Sequence, residues 1–122
     1  MALILIVDDE FSVAEVLEAI LADVGHEVVT AANGRQGLER ANERMPDVVL
    51  LDFMMPILSG ASMLKAMRED PALCNIPVVI MSSLPEGNLS ESAKDMYTAF
   101  LRKPFRRKAV LDIVNTVLGR QS

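Results

Sequence analysis

The chain has 122 residues, of which 51% are hydrophobic and 24% charged, with a formal net charge of -5 and one cysteine, Cys74. These values suit a single domain over residues 1–122 in a reducing compartment, exclude an internal disulfide and argue against nucleic-acid binding. Because no apolar stretch approaches the roughly 20 residues of a membrane span and the N-terminus lacks the basic flank of a signal peptide, we expect a cytoplasmic domain without membrane contact.

The chain begins with a predicted strand and helix. Residues 3–7 form an apolar run, which is typical of a buried strand. Apolar residues at helical spacing over residues 13–24 predict a helix. Ser12 and Glu15 form a predicted capping box at its start, and Gly25 is its predicted stop.

The middle of the chain repeats this alternation. A second strand is predicted around residues 27–31. Asn33 and Gly34 then open a second helix, which should close before Pro46 because proline disfavours a helical residue ahead of it. The third strand is predicted over residues 48–51.

The second half continues with a third helix around Met63, a fourth strand over residues 78–81, a short fifth strand at residues 100–101 and a final helix over residues 110–117. The segment after the fourth strand is the least regular, because residues 85–88 have the composition of a turn.

A fourth crossover helix is expected over residues 89–97, with Asn88 and Glu91 as capping partners. Five strand–helix pairs imply an α/β fold, because parallel strands need crossover connections. The sheet is therefore expected to carry helices on both faces.

Polar residues follow four of the predicted strands: Asp8 and Asp9 the first, Asp52 the third, Ser82 the fourth and Lys103 the fifth. In open parallel sheets, ligands bind beyond the carboxyl ends of the strands. Three neighbouring carboxylates repel one another and require a counter-charge, and Mg²⁺ prefers oxygen ligands. With an ammonium and a hydroxyl group to hold a phosphoryl group, the set has the parts that phosphoryl transfer needs.

Each part of this set also has a simpler interpretation. Asp8 and Asp9 can have no role beyond a favourable interaction with the dipole of the following helix. Asp52 can be an ordinary loop residue, and Lys103 can be a solvated surface charge. The joint spacing of these residues favours a shared site.

Four motifs follow one another in a fixed order over the whole chain: Asp8-Asp9, Asp52-Phe53-Met54-Met55-Pro56 with Gly60, Ile80-Met81-Ser82-Ser83 and Lys103-Pro104-Phe105. Their order and spacing closely resemble the receiver domain of two-component response regulators, of the chemotaxis-regulator type. The resemblance implies a flavodoxin-like, doubly wound sheet of five parallel strands in the order 2-1-3-4-5.

The resemblance also implies a Mg²⁺ site. Asp52 would be the phosphoacceptor and a metal ligand. Asp9 would bind Mg²⁺ directly, and Asp8 largely through a bound water. The backbone carbonyl of Met54 would complete the protein's share of the ligands.

The resemblance also assigns residues that would contact the phosphoryl group and residues that would change conformation on phosphorylation. Ser82 and Lys103 would contact the phosphoryl oxygens, and the bond before Pro104 is commonly cis in the family. Ser82 would move toward the phosphate while an aromatic residue, here Phe100, turns inward. Phe100 can equally be ordinary core; because it has no hydroxyl group to hold it outward, we expect the inward state to be favoured even without phosphate.

The chain departs from the family pattern at several positions. Met54 and Leu84 occupy the two positions that tune phosphoryl lifetime, and neither can orient an attacking water, so slow self-dephosphorylation is expected. The pair Met96-Tyr97 replaces the usual Gly-Ala before the fifth strand, which leaves the geometry of the preceding helix open.

Three cations, Arg106, Arg107 and Lys108, precede the final helix, where they oppose its dipole. They are interpreted as a solvated face or, alternatively, as a docking patch for an acidic partner. His26 follows a predicted turn and is expected at the surface.

The function expected from the resemblance is a signalling switch rather than an enzyme, with chemistry limited to its own phosphorylation and dephosphorylation. Asp52 would take a phosphoryl group from a phosphohistidine of a sensor histidine kinase or histidine phosphotransfer domain. A downstream effector would then bind the face formed by the fourth helix, the fifth strand and the final helix, with the domain as a monomer or a phosphorylation-dependent dimer.

Two other functional classes fit the sequence less well. A Mg²⁺-dependent phosphohydrolase of small phosphate esters would need a second Asp where Met54 stands. A nucleotide- or flavin-binding module would need a glycine-rich loop after the first strand, where the acidic Asp8, Asp9 and Glu10 instead repel phosphate.

Overall fold

The computed structural model describes residues 2–55, 58–89 and 95–119. Strands and helices alternate in these ranges as the sequence pattern predicts. They are β1 (Leu3–Val7), α1 (Phe11–Asp23), β2 (Glu27–Ala31), α2 (Gly34–Arg44), β3 (Val48–Asp52), α3 (Gly60–Glu69), β4 (Val78–Ser82), a 3₁₀ turn (Glu86–Asn88), β5 (Ala99–Arg102) and α4 (Arg107–Gly119).

The five strands form one parallel sheet in the order β2-β1-β3-β4-β5. Val7 pairs with Leu51, and Asp52 pairs with Met81, so the carboxyl ends of β1, β3 and β4 lie at the same edge. The predicted strand order and the flavodoxin-like, doubly wound fold are confirmed.

Each strand sends alternate side chains to opposite faces of the sheet, which divides the core in two. Val49 and Leu51 of β3 belong to the cluster that includes Met63 of α3. Val48 and Leu50 belong to the cluster that includes residues of α1 and α4. The sheet therefore has an α2/α3 face and an α1/α4 face, both covered by helices.

Most helix ends follow their predicted signals. Asn33 caps α2, since its side-chain oxygen accepts the N–H of Gln36 at 2.9 Å. The helix ends at Arg44, and Met45 takes a left-handed conformation (φ 47°) before Pro46. Gly25 likewise follows the end of α1 with φ 96°, a conformation that favours glycine.

The predicted capping box at the start of α1 is wrong. Glu10, rather than Ser12, is the N-cap residue, and its side chain makes no capping hydrogen bond. The carboxylate of Asp8 accepts the N–H of Glu10 at 2.9 Å, which bends the chain immediately after β1. The carbonyl of Glu10 then accepts the N–H groups of Val13 and Ala14, so the helix starts ahead of the predicted cap.

The fourth crossover helix, predicted over residues 89–97, falls mainly on residues 90–94, and its capping partner Glu91 is among them; these residues lie outside the described ranges. Residues 95 and 96 form a turn ahead of β5. Within the described residues, no helix has the length and apolar character needed to cross a bilayer.

Candidate functional site

Two carboxylates leave the sheet side by side on its α1/α4 face. Ile6 and Leu50 point into the α1/α4 cluster, so Asp8 and Asp52, each two residues further along its strand, point to the same side. Both carboxylates are buried, with 2% and 3% of the residue exposed. The apolar strands that precede them hold these charged groups at the edge of the core.

Lys103 brings the opposite charge to the pair. Its backbone N–H donates to the carbonyl of Ser82 at 2.8 Å, which fixes the end of β5 against the end of β4. Its Nζ lies 3.0 Å from Oδ2 of Asp8, 3.4 Å from Oε1 of Glu10 and 3.6 Å from Oδ2 of Asp52. The peptide bond between Lys103 and Pro104 is cis, as expected.

The close charges change the ionisation of the site. Burial, followed by the charge of Asp8, raises the pKa of Asp52 to about 7, although Lys103 and the N–H of Met54 act in the opposite direction. Burial also acts to lower the pKa of Lys103, but the hydrogen bond to Asp8 and the surrounding carboxylates outweigh burial and raise it. Three carboxylates thus surround one ammonium, and the excess of negative charge favours a further cation.

Three carboxylates in the described part of the chain could hold a metal ion together. Oxygens of Asp8, Glu10 and Asp52 lie within 4.8 Å of one another. Hard oxygen donors with an excess of negative charge fit Mg²⁺. Asp9, predicted as a direct ligand, is exposed and lies outside this group, whereas Glu10 belongs to it and was not predicted.

The backbone around Asp52 is fixed by two close contacts. The N–H of Met54 donates to Oδ1 of Asp52 at 3.2 Å. A Cβ atom at Gly60 would lie 2.5 Å from the backbone oxygen of Asp52 and 2.7 Å from the Cα of Phe53. Because real Cβ atoms do not approach backbone atoms so closely, the start of α3 requires glycine at this position.

The two predicted switch residues lie on the other face of the sheet. Ser82 follows Val78 and Ile80 in alternation, and both belong to the α2/α3 cluster. Its buried hydroxyl oxygen accepts the N–H of Leu84 at 3.0 Å. Phe100 is half-buried against the same cluster. Their roles in switching stay predictions.

The basic segment before α4 is partly neutralised within the chain. Arg107 donates to Asp23 at 2.7 Å and Lys108 donates to Asp112 at 2.7 Å. Both pairs are exposed, so each contributes little to stability. The interpretation as a solvated face therefore accounts for these two cations.

His26 is half-buried rather than simply a surface residue. Its Nδ1 accepts the N–H of Ala2 at 3.1 Å, and burial lowers its pKa. It joins the turn before β2 to the start of β1, which is a structural role distant from the carboxylates.

A parallel five-stranded sheet with acidic residues and a lysine at the carboxyl ends of its strands defines a class of proteins, the receiver domains. The response regulator receiver domain family matches residues 4–115, and the chain belongs to this family. Its members are components of two-component signalling.

Two solved structures are similar to the chain over nearly all its length. The chemotaxis protein CheY4 of Vibrio cholerae superposes with a TM-score of 0.90 and 31% identity, over 96% of this chain and 98% of that one. The receiver domain of the Francisella response regulator 1452 superposes with a TM-score of 0.89 and 30% identity, over 100% of both chains.

Curated relatives differ in how much of their length is matched. Protein PilH of Pseudomonas aeruginosa is 35% identical over 124 residues, which cover 98% of this chain and 99% of PilH. The probable transcriptional regulator ycf27 of Guillardia theta is 34% identical over 96% of this chain. The chain spans 45% of the length of that relative.

Proposed function

We propose that residues 1–122 form one receiver domain in which Asp52 accepts a phosphoryl group from a phosphohistidine. The position of Asp52 carries this proposal: its carboxylate is buried at the sheet edge, 3.6 Å from the ammonium of Lys103. A sensor histidine kinase or a histidine phosphotransfer domain would supply the phosphoryl group. Response regulators as a class interact with such kinases and with downstream effectors.

The transfer is a substitution at phosphorus. An ionised oxygen of Asp52 forms a bond to phosphorus while the bond from phosphorus to the histidine nitrogen breaks, and the imidazole leaves with its electron pair. Lys103 donates to one phosphoryl oxygen, and Ser82 moves from the α2/α3 face toward the phosphoryl group so that its hydroxyl donates to another. Most of the catalysis comes from positioning and from neutralised charge.

The carboxylates fit a Mg²⁺ ion that would assist this step. Asp8 and Asp52, whose oxygens lie within 4.8 Å of each other, would hold it together with the backbone carbonyl of Met54. Asp9 is exposed and outside that group, so its side chain would have to turn toward the ion to bind it. When bound, Mg²⁺ neutralises negative charge on the phosphoryl oxygens.

Access to the site is open on the side of α1. A cavity of about 560 Å³ is lined by residues that include Glu10, Val13, Lys103 and Phe105. Because Lys103 lines this cavity, a side chain inserted there would come close to the acceptor group. We infer that the phosphohistidine donor docks on this side.

The output of the domain is a changed surface rather than a released product. Ser82 moves toward the phosphoryl group and Phe100 turns further inward. The face formed by the fourth crossover helix predicted from the sequence, by β5 and by α4 then binds a downstream effector, either in the monomer or in a phosphorylation-dependent dimer. The cytoplasmic location stays a prediction from the sequence.

Intact mass spectrometry tests the acceptor. The protein is incubated with Mg²⁺ and acetyl phosphate, with Asp52→Ala as the test variant and Asp95→Ala, an exposed carboxylate in the turn before β5, as the control. We expect one phosphoryl adduct in wild type and Asp95→Ala and none in Asp52→Ala. An adduct in Asp52→Ala, or steady hydrolysis of phosphate esters, would contradict the proposal and favour a phosphohydrolase.

A further inference from the structure

Glu10 occupies a fixed position beside the acidic site. Its backbone N–H donates to Oδ1 of Asp8 at 2.9 Å. Its carbonyl oxygen accepts the N–H groups of Val13 and Ala14, each at 3.1 Å. The main chain is therefore held on both sides, and the Glu10 side chain starts from a defined point next to Asp8.

The Glu10 side chain is the outermost of three carboxylates around one ammonium. Lys103 Nζ is 3.0 Å from Asp8, 3.4 Å from Glu10 and 3.6 Å from Asp52. The side chain of Glu10 is 60% exposed, whereas those of Asp8 and Asp52 are 0% and 5% exposed. An ammonium has three N–H donors, so the three carboxylates share one set of donors.

This sharing bears directly on phosphoryl transfer. Lys103 Nζ lies 3.6 Å from Oδ2 of Asp52, and it would have to donate to the phosphoryl oxygens once Asp52 carries that group. A donor engaged by Glu10 is not available for this contact. We propose that Glu10 is a positioning residue that competes for the Lys103 ammonium in the unphosphorylated protein, so that fewer of its N–H donors are available beside Asp52; the inference rests on the proposed function. Because one partner is exposed to solvent, the contact is weak enough to be released.

Binding of beryllofluoride, a tetrahedral mimic of the phosphoryl group, tests this role by isothermal titration calorimetry at saturating Mg²⁺. We expect Glu10→Gln to bind the mimic about two- to fivefold more tightly than wild type, in the range that a partly exposed ion pair supports. Glu10→Asp keeps the charge but withdraws the carboxylate by one methylene, and should resemble Glu10→Gln. Glu18→Gln, at an exposed position on α1, the helix that Glu10 precedes, is the matched control and should bind like wild type.

The NMR resonances of the Lys103 side chain give a second measurement, which a change in the stability of the fold alone would not affect. Before the mimic is added, Glu10→Gln should shift the NMR resonances of the Lys103 side-chain carbon and nitrogen beside the charge, while most backbone resonances keep their positions. Unchanged Lys103 resonances, or affinities for beryllofluoride equal in Glu10→Gln and wild type, would overturn the inference. An affinity of Glu10→Asp equal to that of wild type would also overturn the inference, because the negative charge would then act without a contact between the carboxylate and Lys103.

Failure of this inference is distinct from failure of the proposed function. If wild type binds beryllofluoride, Asp52→Ala does not, and Glu10→Gln equals wild type, only the role of Glu10 is wrong. If wild type fails to bind the mimic at all, the acceptor role of Asp52 and the inference built on it are both overturned.

Discussion

Gly60 lies directly against the backbone of Asp52: a Cβ atom at Gly60 would be 2.5 Å from the backbone oxygen of Asp52. Its N–H also donates to the carbonyl of Phe53 at 3.2 Å. The start of α3 is thus pressed against the backbone of the proposed acceptor, and a change in one must move the other.

Gly60→Ala is therefore expected to destabilise the fold by about 1–3 kcal/mol, because the added methyl group meets backbone atoms that cannot turn aside. Urea unfolding measures the loss. The same substitution at Gly87, where an added Cβ meets nothing within 4 Å, is the control and should change stability little. Equal stabilities of the two variants would show that the approach to Asp52 is not tight.

Asp52 gives a pH-dependent contribution to stability. Burial beside Asp8 raises its pKa from 3.8 to about 7, so the folded protein keeps a proton that the unfolded chain has already released. The stability from this group is present at low pH and is lost as pH rises from about 4 to about 7.

Asp52→Asn removes this titration, so the stability of the variant relative to wild type should rise by up to about 4 kcal/mol between pH 4 and pH 8. The difference between the two proteins in urea unfolding, measured across that range, checks the sign; groups that titrate equally in both proteins cancel. A difference that shrinks toward pH 8 would mean that Asp52 is stabilised in its charged form.

Tyr97 joins the segments on either side of residues 90–94. Its hydroxyl group donates to the carboxylate of Glu86, and this hydrogen bond, with burial and the negative charge of Glu86, raises the pKa of Tyr97 to about 12. The chain has one tyrosine and no tryptophan, so ultraviolet absorbance reports this group alone.

We expect the native tyrosine to titrate near pH 12 and the Glu86→Gln variant to titrate closer to the ordinary value of about 10. Asp95→Asn, which removes a neighbouring carboxylate without this hydrogen bond, should leave the high value in place. A wild-type midpoint near pH 10 would show that the two segments are not joined in solution.

Phosphoryl lifetime should depend on Met54. The residue is 61% exposed, and its side chain offers no polar atom that orients water well. Leu84, at the second position that tunes the lifetime, is also apolar. Once phosphorylated, wild type should therefore lose its phosphoryl group over minutes or longer.

Met54→Asn supplies a polar group beside Asp52 and should shorten the lifetime several-fold, as followed by the decay of the phosphoryl adduct after the donor is removed. Met45→Asn changes another exposed methionine, which stands at the end of α2, and should have no effect. A wild-type lifetime of seconds would contradict the prediction.

The three central strands β1, β3 and β4 were predictable because they are apolar up to their carboxyl ends. Residues 48–52 are buried on both faces of the sheet. The apolar run therefore identifies the strand, and the first charged residue after the run marks the point where the chain leaves the sheet. Asp8 and Asp52 were found in this way, and Lys103 from its position after the short fifth strand; parallel pairing brings these strand ends together.

Contacts between distant residues were not predictable from the same pattern. Arg68 donates to the carbonyl oxygens of Met96, Cys74 and Ile76 at 2.7, 3.1 and 2.8 Å. The spacing of residues in a helix does not predict which distant carbonyl groups an arginine will contact. Glu10 was missed for a similar reason. It looks like one more acid of a helix start, and only its distance to Lys103 sets it apart.

The alternation of side chains along the strands has a consequence for how the length of this protein can vary. Asp8, Asp52 and Lys103 meet because each leaves its strand on the α1/α4 face. One residue inserted or deleted within β3 would carry Asp52 to the α2/α3 face, away from Lys103. Two inserted residues would restore the face but carry the carboxylate about 7 Å past the sheet edge. Changes in length are therefore confined to the loops, and the chemistry fixes the residue count of the strands.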